Sequence, residues 1–130
     1  MGTTTPTVLV VDDDPGIRDS MARLLSVYGY SPLVAADLDE AMRTLGEATV
    51  DAMIIDVRLG DGRTGLDLLH TIRERAALAK VPILVLTGAI LSDAEEALIT
   101  RMRAYLFQKP EGFHTLLHFL DTLTGRDQEH

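Results

Sequence analysis

The sequence predicts a doubly wound α/β domain, a five-stranded parallel sheet flanked by five helices. Three observations carry this. Short runs such as Val8–Val11, Ala52–Ile55 and Pro82–Leu86 are apolar without polar alternation, the signature of strands buried on both faces of a parallel sheet. Stretches with apolar residues at helical spacing separate them, so the chain alternates strand and helix throughout. Several of the apolar runs end on polar or charged groups, and in an open parallel sheet those ends share one edge, where ligands gather.

Taken in order, Thr7–Val11 reads as the first strand and runs into Asp12, Asp13 and Asp14. Asp14 followed by Pro15 marks a helix start, with Ile17, Met21, Leu24, Leu25 and Tyr28 on one stripe and Gly29 as its stop. Ser31–Ala35 is a weaker strand that Pro32 pushes toward a start or an edge. Asp37 caps a helix to about Ala48 that buries Leu38, Ala41, Met42 and Leu45. Ala52–Ile55 is the third strand, ending on Asp56 and a Gly-rich loop, and Leu66, Leu69, Ile72, Arg73 and Ala76 extend the next helix. The fourth strand, Pro82–Leu86, meets the hydroxyl of Thr87. Ser92 with Glu95 forms a capping box for a helix to about Met102. Ala104–Phe107 is the fifth strand, entering Gln108-Lys109-Pro110. A last helix buries Phe113, Leu116, Leu117, Leu120 and Leu123. The expected domain is 7–124, with 1–6 and 125–130 as flexible tails.

Composition removes several function classes. A formal charge of −8, from 12 Lys and Arg against 20 Asp and Glu, supplies no basic face for phosphate neutralisation, so direct nucleic-acid binding is not expected. There is no cysteine, hence no disulfide, thiol nucleophile or Cys-based zinc site. No apolar run reaches the ~18 residues of a membrane span, and Met1 to Thr7 lacks the regions of a signal peptide, which makes the cytoplasm the expected location. His70, His114, His118 and His130 are scattered and read as structural or surface groups. Arg101 to Arg103 reads as a solvated helix end.

The strand ends bring chemistry together. Asp12 and Asp13 follow the first strand, Asp56 the third, Thr87 the fourth and Lys109 the fifth. Three carboxylates converging on one edge repel unless a cation lies among them, and hard oxygen donors with room for water suit Mg²⁺. A lysine and a hydroxyl beside them complete a phosphoryl-binding set, with Asp56 as nucleophile. Taken singly, Asp56 reads equally well as a cap of the following turn.

These pieces together, VLVVDDDP, MIIDVRLGDGRTG, PILVLTG and FQKP, resemble the receiver domain of bacterial response regulators in two-component signalling, over roughly Thr7 to Thr124. The resemblance implies a flavodoxin-like fold, Mg²⁺ at Asp12 and Asp13, phosphorylation of Asp56, the carbonyl of Arg58 as a further metal ligand, and phosphoryl contacts from Thr87 and Lys109. It also implies a cis Lys109-Pro110 bond, a histidine kinase or histidine phosphotransfer protein as donor, and a downstream protein partner or an effector domain outside this chain. Such a domain catalyses only its own phosphorylation and dephosphorylation.

The departures are local. Gly65 lies one residue later than the family spacing, so the loop from Gly60 to Thr64 carries about one insertion. The family's aromatic three residues before the lysine is here Leu106, flanked by Tyr105 and Phe107 on the opposite strand face. Thr100 to Ala104 replaces the usual Gly-containing turn, and Glu111 stands where an aromatic usually follows the proline. Two other classes compete with the phosphoacceptor reading. One is a pseudo-receiver that binds partners without phosphorylation, to which the altered Leu106 region points. The other is a metal-dependent phosphatase or flavodoxin-like cofactor binder, opposed by the lack of an Asp-x-Asp pair at the strand ends and of a Gly-rich phosphate loop after the first strand.

Overall fold

The structure, a computed structural model, describes residues 5–57, 65–88, 90–108 and 112–125. Five strands, β1 (Thr7–Val11), β2 (Ser31–Ala35), β3 (Ala52–Ile55), β4 (Ile83–Thr87) and β5 (Tyr105–Gln108), form one parallel sheet in the order β2-β1-β3-β4-β5. The helices are α1 (Pro15–Val27), α2 (Leu38–Glu47), α3 (Gly65–Arg73), α4 (Asp93–Arg101) and α5 (Gly112–Leu123), with a 3₁₀ turn at Ala76–Leu78. This is the doubly wound architecture the sequence predicts. Among the described residues, no helix is long and apolar enough to cross a membrane.

Strand alternation divides the core into two layers. Leu9, Val11, Met53, Ile55, Ile83 and Val85 face one side, where α2, α3 and α4 cover them through residues such as Ala41, Leu69, Ile72 and Ile99. Val8, Val10, Ala52, Ile54, Leu84 and Leu86 face the other, under Met21 and Leu25 of α1 and Leu116, Leu117 and Leu120 of α5. Because β1, β3 and β4 are buried on both faces, their sequences show no polar alternation. Pro32 is accommodated in β2, an edge strand, as a residue without a ladder N–H requires.

Helix starts follow the side-chain chemistry. The Asp14 carboxylate accepts the N–H groups of Gly16 and Ile17 at 2.8 and 3.2 Å, and Asp37 accepts that of Glu40 at 2.9 Å. Ser92 and Glu95 form the reciprocal capping box.

Three sequence expectations are corrected. Tyr28 is not on the buried stripe of α1: it caps the helix and is exposed, while Gly29, at φ 91°, turns the chain so that Tyr30 is buried instead. Ala76 does not extend α3, which ends at Arg73 and is followed by the separate 3₁₀ turn. Strands β4 and β5 begin one residue later than expected and run through Thr87 and Gln108; Pro82 has no N–H for the ladder, though its carbonyl accepts the Met53 N–H at 2.9 Å. Arg101 and Arg103 are exposed at the end of α4, as the sequence predicts; Arg103 in addition takes the left-handed position after the helix, at φ 59°, and its Nη2 donates to the Ala79 carbonyl at 2.8 Å.

Candidate functional site

Sheet register positions the site. Val11 pairs with Ile55 and Ile55 with Val85, so β1 and β3 end level with one another, and Asp12 and Asp56 occupy the next positions on neighbouring strands, about 5 Å apart by inter-strand spacing. The ladder continues past both ends: the Asp12 N–H donates to the Ala35 carbonyl at 3.1 Å and the Asp56 N–H to the Val11 carbonyl at 3.0 Å. Thr87 closes β4 two residues beyond Val85 and pairs with Gln108, the last residue of β5.

Burial marks the same edge. Among the described residues, the buried polar or charged side chains are Asp12, 3% exposed, and Thr87, fully buried. Asp56 between them is half-buried and Asp13 is exposed. A buried carboxylate is costly unless its oxygens are hydrogen-bonded. Asp12 meets that demand locally, its Oδ1 accepting the Asp14 N–H at 3.0 Å, and Arg18 Nη1 donates to the Asp12 main-chain carbonyl at 2.9 Å. The acids after β1 therefore hold different positions: Asp12 turns inward, Asp13 faces solvent and Asp14 caps α1.

The structure thus brings Asp12, Asp56 and Thr87 to one edge, with Asp13 beside them. Arg58, Lys109, the 60–64 loop and the Lys109-Pro110 bond lie outside the described residues. Among the described residues, no three acidic or histidine side chains gather closely enough to share a metal ion. The donor chemistry still suits a hard cation. Mg²⁺ takes one or two carboxylates and keeps several waters, and the ends of β1 and β3 supply such carboxylates side by side. His70, His114 and His118 are exposed on their helices, away from this edge.

Gly65 is a site residue whose role the spacing alone did not reveal. A Cβ there would stand 2.2 Å from the Asp56 carbonyl oxygen and 2.7 Å from Ile55 Cγ2, while the Gly65 N–H donates to the Val57 carbonyl at 2.7 Å. The first turn of α3 is therefore packed directly on the backbone of Asp56, and only glycine leaves room for it. The sequence signals were its place as the loop glycine after Asp56 and the apolar helical run that follows it.

Around β5 the alternation is as the sequence predicts. Leu106 packs into the layer under α4, whereas Tyr105 and Phe107 contact Phe119 of α5 on the other side, with ring centroids 4.7 and 5.8 Å apart. Two further devices were not foreseen. The Tyr30 hydroxyl donates to the Asp121 carboxylate, tying the end of α1 to α5. Arg73, expected only as part of a helix, sends its guanidinium to the carbonyls of Leu78, Ala79, Val81, Met102 and Arg103 at 2.8 to 3.2 Å.

Comparison with known proteins gives a consistent result. A family model described as the response regulator receiver domain matches residues 8–121. The regulatory protein VirG of Agrobacterium fabrum is 32% identical over 111 residues, 85% of this chain and 42% of that protein. A putative response regulator, NtrX-like, of Rickettsia bellii is 38% identical over 82 residues, 62% of this chain and 17% of the relative. The chain spans less than half the length of these relatives. Among solved structures, the chemotaxis protein CheY4 of Vibrio cholerae is 30% identical with a TM-score of 0.82, covering 92% of this chain and 99% of that one. The response regulator TrrA of Thermotoga maritima, in complex with Mg²⁺ and beryllofluoride, is 25% identical with a TM-score of 0.79, covering 92% and 99%.

Proposed function

Because the chain belongs to the response regulator receiver domains, we propose that it is a phosphoacceptor in which Asp56 takes a phosphoryl group from a phosphohistidine donor. The observation that carries this reading is the pair of buried polar side chains, Asp12 and Thr87, at the ends of the strands on either side of Asp56. A solvated turn cap needs no such company.

In the transfer, a carboxylate oxygen of Asp56 attacks phosphorus in line as the P–N bond of the donor breaks. The donor imidazole leaves with the bonding pair and takes up a proton. The product is an acyl phosphate. Asp12, Asp13 and Asp56, with the carbonyl of Arg58, are the residues assigned to Mg²⁺, which supplies positive charge against the phosphoryl oxygens when bound. Thr87 is assigned to hydrogen-bond one phosphoryl oxygen, and Lys109 to pair with another. Hydrogen-bonding Asp12 to the Asp14 N–H fixes its carboxylate in advance, so little reorganisation remains for the moment of reaction.

The domain is assigned to 7–124, supported by a first strand starting at Thr7 and a last helix ending at Leu123. The donor is a histidine kinase or phosphotransfer protein, the recipient of the signal a downstream protein or an effector domain, and the compartment the cytoplasm where such donors present their phosphohistidine. The test is incubation with acetyl phosphate and Mg²⁺ followed by intact mass. One added phosphoryl group is expected, lost on chelation and in Asp56→Asn. A shift of equal yield in excess chelator removes the metal from the reading, and persistence in Asp56→Asn moves the acceptor elsewhere.

A further inference from the structure

At the amino edge of the sheet, opposite Asp56, a cavity of about 290 Å³ is lined by Arg73, Lys80, Arg103 and Tyr105. A second cavity of about 480 Å³ adjoins it, with Lys80, Pro82 and Leu123 common to both. In a chain of net charge −8, this is a concentration of cations. None of the three forms an ion pair with a described carboxylate, and Asp51, in the adjoining cavity, accepts the Thr7 N–H instead.

The three cations are not equivalent. Arg73 is committed to main-chain carbonyls through Nε, Nη1 and Nη2, so it contributes field and not contact. Burial, and then the positive charge of Arg103, push its guanidinium below the ordinary arginine range, which marks the two as close like charges. Arg103 spends one nitrogen, Nη2, on Ala79, and Lys80 none on any described group. Both keep donors for a ligand.

Backbone conformation adds an independent observation. Arg103 sits at φ 59°, with its N–H donating to Thr100 and the next N–H, of Ala104, donating to Ile99, the arrangement that ends helices on glycine. A glycine there is the less strained choice. An arginine held in that conformation, with its side chain on the rim of a cationic cavity, points to a role for the side chain.

We propose that this cavity is a binding site for a small phosphate-bearing anion, with Arg103 and Lys80 as contact residues, Arg73 as the fixed charge behind them and the adjoining cavity as room for the organic part. A guanidinium fork beside an ammonium is chemistry matched to phosphate oxygens. The site is on the opposite edge from the acceptor, so its binding does not depend on the phosphoacceptor reading.

Isothermal titration of the full chain with pyrophosphate, in chelator, tests it. The expected result is one saturable site that weakens with added salt. Arg103→Gly is expected to weaken it roughly tenfold or more, the loss of one charge-assisted contact, with a melting temperature equal to or above that of the parent. Lys80→Gln, an exposed change that leaves the backbone alone, is expected to weaken it in the same direction. Asp56→Asn should leave it unchanged, which separates the two edges. Absence of saturable binding overturns the proposal, as does Arg103→Gly or Lys80→Gln binding within about twofold of the parent, loss of binding in Asp56→Asn, or binding of an acidic peptide without pyrophosphate.

Discussion

Replacing Gly65 by alanine tests how closely Asp56, the proposed acceptor, is built into the fold. The added Cβ would lie 2.2 Å from the Asp56 carbonyl oxygen, 2.7 Å from Ile55 Cγ2 and 3.1 Å from the Asp56 carbonyl carbon. The first distance is more than about 1 Å short of ordinary van der Waals contact. None of these atoms yields easily. Ile55 is fully buried, and the Asp56 peptide is held by its own N–H on Val11 at 3.0 Å and, one residue on, by the Gly65 N–H on the Val57 carbonyl at 2.7 Å. Overpacking of this kind costs about 1–3 kcal/mol, and contact with backbone argues for the upper end. Alanine returns up to about 1 kcal/mol through its better helix propensity, since Gly65 opens α3. A net loss of about 2 kcal/mol is expected, which for a domain of this size lowers the melting temperature by roughly 6–10 °C. Urea denaturation gives the stability, and intact mass after acetyl phosphate treatment gives the acceptor's response, which should fall because any retreat of the 56 carbonyl displaces the carboxylate with it. A stability change within about 0.5 kcal/mol and an undiminished phosphate yield would refute the reasoning.

Arg73→Ala should cost about 3–5 kcal/mol in urea denaturation, because part-buried carbonyls from two connections lose their shared donor, and Arg73→Lys should recover little of it, since one ammonium cannot span five carbonyls; a loss below about 1 kcal/mol in either variant counts against the clamp. Arg58→Ala should speed decay of the phosphorylated protein, on the reasoning that a guanidinium over the acyl phosphate blocks in-line water, and an unchanged or slower decay rate ends that idea. With a beryllofluoride mimic, spectral shifts should be small at Leu106 and larger at α4, and large shifts centred on Leu106 would show that it switches after all.

What the sequence made legible follows from the physics of each signal. Buried parallel strands erase polar alternation, so β1, β3 and β4 stand out as apolar runs, and their shared carboxyl edge follows from parallel topology. Caps were legible because Asp14, Asp37 and Ser92 each satisfy an N–H two or three residues away. Less legible were residues whose partners are distant. Nothing near Tyr30 in sequence announces Asp121, and nothing near Arg73 announces the carbonyls of Met102 and Arg103. Helical spacing continues to Tyr28, but the left-handed Gly29 turns the chain and hands the buried place to Tyr30. At the site, the sequence placed Asp12 and Asp13 together, but local hydrogen bonding separates their roles, one inward and one to solvent.

The same distinction bears on how a change at Asp56 reaches a distant surface. Transmission needs an element with two discrete arrangements of comparable free energy, and a leucine, apolar throughout, loses about 1.5–3 kcal/mol when it turns from core to solvent, so its outward arrangement is scarcely populated. Leu106 belongs to the same core layer as Leu98, Ile99 and Met102 of the α4 region. Tyr105 and Phe107 cannot replace it from where they stand, because the pleat directs both to the α5 side, against Phe119. Fully buried Thr87, at the end of β4, is joined to α4 through a connection in which Leu91 is buried and Ile90 is 95% exposed. A displacement of Thr87 therefore acts first on that connection and on the helix it leads into. The opposite end of α4 is fixed, since the carbonyls of Met102 and Arg103 are held by Arg73. On the phosphoacceptor reading proposed above, a helix pushed at its start and held at its end is expected to pivot as a body about the Arg73 clamp.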